Sequence, residues 1–198
     1  MQEFSLTDLQ NVLNKKSPAD AGNEENYMPA AVMVLIYLKN GEYSILLNKR
    51  SELVEHHKGE MSFPGGAKDP VDNDFLDTAL RETEEEMGIS KSDITVLGRL
   101  DDVITRSNFI VKVYVGTIEY PYQFNPSIEE IAEVVEIPIS NLLSSDNHSI
   151  ETRWDGKIFN DVITYAFQNY LVYGATAIIL AQFLDIVSDN FVMKESLI

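Results

Sequence analysis

Cysteine is absent from this chain, which excludes disulfides, thiolate nucleophiles and cysteine-based zinc sites. Basic residues are scarce: 15 lysines and arginines stand against 32 acids, a formal net charge of −17. A surface of that sign repels polyanions and argues against a nucleic-acid partner, although a local basic patch can still hold a small phosphate compound. Long apolar runs are missing too. The longest, residues 29–37, is far short of the roughly 20 residues that span a bilayer. The opening MQEFSLTDLQ lacks the basic start and apolar stretch of a secretory signal. The sequence therefore predicts a soluble, cytoplasmic protein with neither membrane nor nucleic acid as a partner. Its 198 residues and 44% hydrophobic content suit one domain with a real core.

Periodicity and punctuation place the elements. Residues 5–16 read as a helix, with Leu6, Leu9, Val12 and Leu13 on one face and Ser5 or Thr7 as its cap. A polar loop leads to a β-rich run over residues 29–38. Asn40-Gly41 then turns the chain tightly, and residues 43–48 return as a second strand. A charged connection over residues 51–62 leads to Phe63-Pro64-Gly65-Gly66. A helix over residues 74–88 ends at Gly88. Strands are expected over residues 94–100, 109–119 and 131–139, a hairpin turn at Trp154-Asp155-Gly156-Lys157, and an apolar helix over residues 173–188. Its core positions are Ala177, Ile178, Ala181, Leu184 and Ile186; Trp154 is expected half-buried, Tyr170 and Tyr173 in the core, and His148 in solvent. No repeat or separating linker appears. The pattern predicts an α+β fold, a mixed β-sheet sandwiched between helices (α/β/α). It forms one domain over residues 1–198, with residues 1–28 as a helix and loop extension.

The chemistry concentrates on the helix over residues 74–88. At 100° per residue, Phe75, Leu76, Ala79, Leu80, Thr83 and Met87 fill a core-facing arc of about 140°. Glu82, Glu85 and Glu86 share the adjoining arc, while Glu84 points to solvent. Three carboxylates on one face repel each other, and they sit near the negative end of the helix dipole. A hard divalent cation offsets that repulsion, since Mg²⁺ prefers carboxylate and phosphate oxygens. Arg81 can pair with one of the acids and orient it. An acidic helix alone would be solvated surface. The glycine pair upstream changes the reading, because it lets backbone approach a ligand closely. Lys49, Arg50, His56, His57 and Lys58 also cluster near that bend, a basic patch suited to a nucleotide's phosphates.

The stretch from Gly66 to Ile89 resembles the Nudix box, G-x5-E-x7-R-E-U-x-E-E-x-G-U with U apolar. Arg81-Glu82-Thr83-Glu84-Glu85-Glu86-Met87-Gly88-Ile89 matches its second half, apart from Thr83 at an apolar position. Asp72 stands where glutamate is usual, and one extra residue precedes Arg81, a variant familiar in the coenzyme A diphosphatase-like branch. That branch carries an upstream motif resembling L-L-T-x-R-S-x3-R-x3-G-x3-F-P-G-G. Here Leu46-Leu47-Asn48-Lys49-Arg50-Ser51, Glu55, Gly59 and Phe63-Pro64-Gly65-Gly66 fall in register. Asn48 replaces threonine, and Glu55 replaces arginine with a reversal of charge. Weaker echoes at residues 98–102, 105–108, 115–116, 130–138 and 173–177 carry the resemblance over residues 30–188.

The resemblance implies a Nudix fold and a metal-dependent diphosphatase. Glu82, Glu85, Glu86 and the Gly66 carbonyl would hold Mg²⁺ or Mn²⁺, with Glu82, Glu85 and Arg81 as the catalytic set. Arg50, Lys49, Lys58, Phe63 and Gly65 would contact substrate. Glu82 is the first candidate for general base, with Glu60, Glu129, Glu130 and Glu133 as alternatives. The expected substrate is a nucleoside diphosphate derivative, coenzyme A or an acyl-coenzyme A. ADP-ribose or a nucleotide sugar is the alternative that Glu55 favours. A non-catalytic Nudix-fold binding module would be marked by broken carboxylates, and Glu82, Glu85 and Glu86 are all present. Homodimers are common among such proteins, so a homodimer is the expected assembly.

Overall fold

The computed structural model describes residues 2–22, 26–54, 57–154 and 159–192. A short strand, β1 (Gln2–Glu3), precedes helix α1 (Leu6–Lys15). Ser5 caps α1 by accepting from the Asp8 amide. Strand β2 (Met28–Lys39) is long and largely buried, because its alternate side chains enter two different cores. Asn40 (φ 54°) and Gly41 (φ 86°) make the left-handed two-residue turn into β3 (Glu42–Arg50). Strands β4 (Met61–Ser62) and β5 (Gly65–Ala67) follow, pairing with β3 and β2. Helix α2 (Phe75–Met87) is capped by Asp74, which accepts from the Asp77 amide, and ends at Gly88 with φ 67°. Thr83, at an apolar position of the box, satisfies its buried hydroxyl by donating to the Ala79 carbonyl at 2.7 Å.

Strands β6 (Thr95–Arg99), β7 (Val103–Ile104), β8 (Phe109–Thr117) and β9 (Ile131–Pro138) complete the main sheet, and α3 (Ile139–Leu143) leaves it. Strands β10 (His148–Trp154), β11 (Phe159–Phe167) and β12 (Tyr170–Val172) form a second, antiparallel sheet. Helix α4 (Gly174–Asn190) and β13 (Phe191–Val192) end the described chain, with β13 parallel to β1. In the main sheet the path is β4-β3-β2-β8-β6, with β5 on β2, β7 on β8 and β9 on β3. Only β2 and β8 run parallel there among the described residues.

The sheet separates two cores. Val34, Ile36, Ile45 and Leu47 pack with Leu9 and Leu13 of α1 and with Leu180, Phe183 and Val187 of α4. Ala31, Met33, Leu35 and Leu46 face the other way, onto Ala79 and Met87 of α2. A mixed sheet between helices is therefore the observed architecture, as the sequence predicts.

Several expectations need correction. The α4 stripe is Ala177, Ile179, Leu180, Phe183, Leu184 and Val187, so Ile178 is 44% exposed rather than core. Nearly continuous apolar sequence there blurs the helical period. Trp154 is 57% exposed, with its ring 5.0 Å from that of Phe159, and Tyr173 is 40% exposed. Strands β10–β12 carry exposed apolar residues without strict alternation, and the sequence does not announce them as a sheet. The expected turn at residues 155–157 lies outside the described residues, although Trp154 and Phe159 do pair across it.

Candidate active site

Helix α2 brings the Glu82 side chain directly onto the glycine strand at Gly66. A β-carbon on Gly66 would stand 2.5–2.7 Å from the Glu82 carboxyl atoms. The missing β-carbon thus leaves room for the carboxylate. One residue earlier, the Gly65 amide donates to Glu86 Oε2 at 3.2 Å. Glu86 is 3% exposed and also accepts from Asn48 Nδ2 at 3.0 Å, with Arg50 Nη1 3.6 Å from its other oxygen. Burial pushes the Glu86 carboxyl up to about 7, against the opposing Gly65 amide and Arg50, while Glu82 and Glu130 add repulsion. Glu82 is raised as well, chiefly by burial and in spite of Arg81.

Arg81 ties the acids together. Its Nε and Nη2 donate to the two oxygens of Asp72 at 2.8 and 3.0 Å, a bidentate pair. Its Nη1 donates to Glu82 and to Glu85, each at 2.9 Å. Asp72 is buried and also accepts from Thr78 Oγ1 and the Asp69 amide. The guanidinium holds the Asp72 carboxyl well below the usual range. Glu85 is largely exposed and Glu84 is exposed too. Among the described residues no three acidic or histidine side chains converge on one point; Glu82 and Glu85 pair with Arg81, and Glu86 with Arg50.

A cleft of about 1150 Å³ opens on the other face of the sheet. Its floor includes Ala30, Val32 and Val111, which belong to the α4-side core, whereas Ala31 faces α2. Acids and cleft are therefore on opposite faces. They meet at the bend, where Arg50, Phe63, Gly65 and Gly66 line the cleft. Arg50 Nε is buried and lacks a hydrogen-bond partner among the described residues, an orphan donor at the cleft wall.

The structure places Glu82, Glu86, Arg81, Gly65, Gly66, Phe63 and Arg50 around the bend, while Glu85 is linked to it only through Arg81, and the three acids do not converge on one point. Lys49 and Lys58 do not line the cleft: Lys49 is half-buried opposite Met61 and Glu133, and Lys58 is exposed. Glu60 lines the cleft and is paired with His57 Nδ1 at 3.0 Å. Glu129 is exposed. Glu130 is also exposed, yet its charge reaches both Glu82 and Glu86. Glu133 accepts from the Tyr170 hydroxyl at 2.5 Å. Glu55 and His56 lie outside the described residues. Sequence reasoning gave no role to Asn48, Ser62 or Asp72. Asn48 and Asp72 were visible as departures from motifs; Ser62, which donates to Asn48 Oδ1, carried no signal.

Comparison with known proteins agrees with this geometry. A family model described as NUDIX domain matches residues 27–157. The chain is similar to an uncharacterized Nudix hydrolase NudL of Photorhabdus laumondii, 33% identical over 181 residues, 90% of this chain and 96% of that protein. It is likewise similar to a NudL of Yersinia pestis, 34% identical over 179 residues, 90% and 87% of the two chains. A MutT/nudix family protein from Enterococcus faecalis shares the fold, with TM-score 0.54 at 18% identity over 93% of this chain and 70% of that one.

Proposed function

The chain belongs to the Nudix family and is a hydrolase of nucleoside diphosphate derivatives; within that class we propose that its substrate is coenzyme A or an acyl-coenzyme A. The products would be phosphopantetheine and 3′,5′-ADP. The carrying observation is the contact of Glu82 and Glu86 with the glycine bend that ends the cleft. The donors that would hold an ion there are all oxygen: the carboxylates of Glu82, Glu85 and Glu86, turned from their arginine partners, and the Gly66 carbonyl. That set fits Mg²⁺ or Mn²⁺ and not a soft metal. The raised Glu86 and Glu82 fit it too, since a cation relieves the cost of burying their charge. When bound, such an ion supplies neutralisation of the diphosphate and acidifies water.

The chain's own residues do the rest. Arg50 offers its orphan Nε to a phosphate oxygen at the cleft wall. Arg81 orients Glu82 and Glu85, and Asp72 keeps the guanidinium in place when those acids turn to a cation. Glu82, the carboxylate beside the bend with a raised affinity for protons, is the base that takes the proton from attacking water. Glu130 is the best placed alternative, by its electrostatic reach to the box. The bend, with Phe63 beneath it, positions the diphosphate, and positioning with charge stabilisation dominates the rate.

ADP-ribose or a nucleotide sugar is the second reading, favoured by Glu55 in place of the branch's arginine. No helix among the described residues is long and apolar enough to cross a membrane. The reading takes the enzyme as a cytoplasmic homodimer, which sedimentation of the purified chain tests. Activity is tested with E85Q and E86Q against a panel of coenzyme A, acyl-coenzyme A, ADP-ribose and nucleotide sugars with Mg²⁺. Undiminished turnover in both variants would refute this catalytic centre.

A further inference from the structure

We propose that Arg106 recognises a second phosphate of the substrate, one carried on the nucleoside's sugar outside the scissile diphosphate. The inference rests on the hydrolase reading of the same cleft and deepens it.

Among the described residues two arginines and no lysine line the cleft. Arg50 is committed at the bend through Glu86. Arg106 is exposed, lines the cleft, and has no hydrogen bond or ion pair among the described residues. With 32 acids against 15 lysines and arginines, this chain has ample carboxylate to pair its cations. Lys15, Lys49 and Lys58 have no carboxylate partner among the described residues either, but the arginines Arg50, Arg81 and Arg99 are all so paired. An arginine left unpaired on a substrate wall offers a bidentate anion site.

The backbone around it is well defined. Thr105 donates its amide to the Phe109 carbonyl at 2.9 Å, and Phe109 donates its own to Thr105 Oγ1 at 3.0 Å. Asn108 closes the turn at φ 67°. The hydroxyls of Thr105 and Ser107, 3.1 Å apart, also line the cleft and can donate to the same anion. Asp161 lines the cleft too, but its carboxylate is engaged by Thr152 Oγ1 at 2.8 Å.

Sheet order sets the span. From β5 through β2 and β8 to β7 there are three strand spacings, about 14 Å. An extended arginine side chain at position 106 can span part of that distance. A second phosphate therefore binds across the sheet from the glycine bend, with Ala30, Val32 and Val111 as an apolar floor between the two.

The test uses pairs that differ only in a sugar phosphate: coenzyme A with dephospho-coenzyme A, and 2′-phospho-ADP-ribose with ADP-ribose. Wild type should favour the phosphorylated member of a pair in kcat/KM by roughly ten- to a hundredfold. R106A should bring that ratio near one, and R106K should keep part of it. Calorimetry of the full chain with adenosine 3′,5′-bisphosphate, adenosine 2′,5′-bisphosphate and adenosine 5′-monophosphate reads the same discrimination without turnover. If no pair is cleaved, the hydrolase reading fails while the binding arm still decides on Arg106. A preference in neither measurement, or one that R106A retains, overturns the proposal.

Discussion

Asn48 Nδ2 donates to Glu86 Oε2 at 3.0 Å, in a joint between β3 and α2 where neither residue meets solvent. Ser62 fixes which way the amide points, because its hydroxyl donates to Asn48 Oδ1. The nitrogen must then face the carboxylate. N48D would set a second carboxylate against Glu86 in a buried place, so it should destabilise the fold by about 3 kcal/mol in urea unfolding. S62A frees the amide without adding charge and should cost about 1 kcal/mol. Equal stabilities for N48D and S62A would contradict the arrangement.

Glu86 also predicts a pH dependence. Its carboxyl is raised to about 7 in the folded protein, from 4.5 when unfolded. Between those values the folded state binds more protons than the unfolded one. Stability from this group is therefore greatest at low pH and declines as pH rises through that window, levelling above about 7. Each unit is worth about 1.4 kcal/mol, so the decline is on the order of 3 kcal/mol. E86Q, stripped of metal, should flatten the curve over this window. Mg²⁺ should stabilise wild type more at pH about 8 than at about 5.5, since ligation requires the carboxylate. Thermal melts with EDTA and with Mg²⁺ check both statements.

The box helix was legible because its signals agree: Gly88 after it, one apolar arc and one acidic arc; that Asp74 caps it rather than belonging to it emerges only from the structure. The glycine bend was legible as a place where backbone could approach a ligand; the close neighbour the structure shows at Gly66 is the Glu82 carboxyl. What escaped is long-range. Asn48 and Ser62 meet Glu86 only because β4 pairs with β3 in one register, Asn48 opposite Ser62. Local periodicity carries no information about that pairing. Lys49 and Lys58 looked like Arg50 in a basic cluster, yet only Arg50 enters the cleft, because charge clustering in sequence does not fix direction. The second sheet was hidden by exposed apolar residues such as Ile150, Phe159 and Leu171, which break the alternation that marks a half-buried strand.

Asp72 predicts an acid limit and a stability cost. Its carboxyl is lowered chiefly by the Arg81 hydrogen bonds, so its contribution is present above about 3.8 and lost as pH falls through the lower folded value. D72N breaks a pair whose acid is buried, and leaves Arg81 without its anchor. The expected cost is about 3 kcal/mol. Arg81 should then swing fully onto Glu82 and Glu85, raising the Mg²⁺ concentration needed for half-maximal activity. D72E, which restores the carboxylate usual at this box position, should recover much of both. An unchanged Mg²⁺ requirement in D72N would argue that Asp72 only supports the fold.

Gly66 offers the sharpest separation of fold from function. A β-carbon there meets the end of one flexible side chain, the Glu82 carboxyl at 2.5–2.7 Å, and no backbone atom is as near. G66A should therefore fold, with Glu82 pushed aside by about an ångström. A displacement of that size in a reacting group costs about a hundredfold in rate. The expected result is a kcat about a hundredfold lower with a melting temperature close to wild type. Gly65 is the control, since a β-carbon there meets the Ala31 carbonyl and the Val32 backbone, which cannot yield. G65A should lose stability as well as activity. A fully active G66A would mean that the Glu82 carboxylate has no fixed place in the reaction.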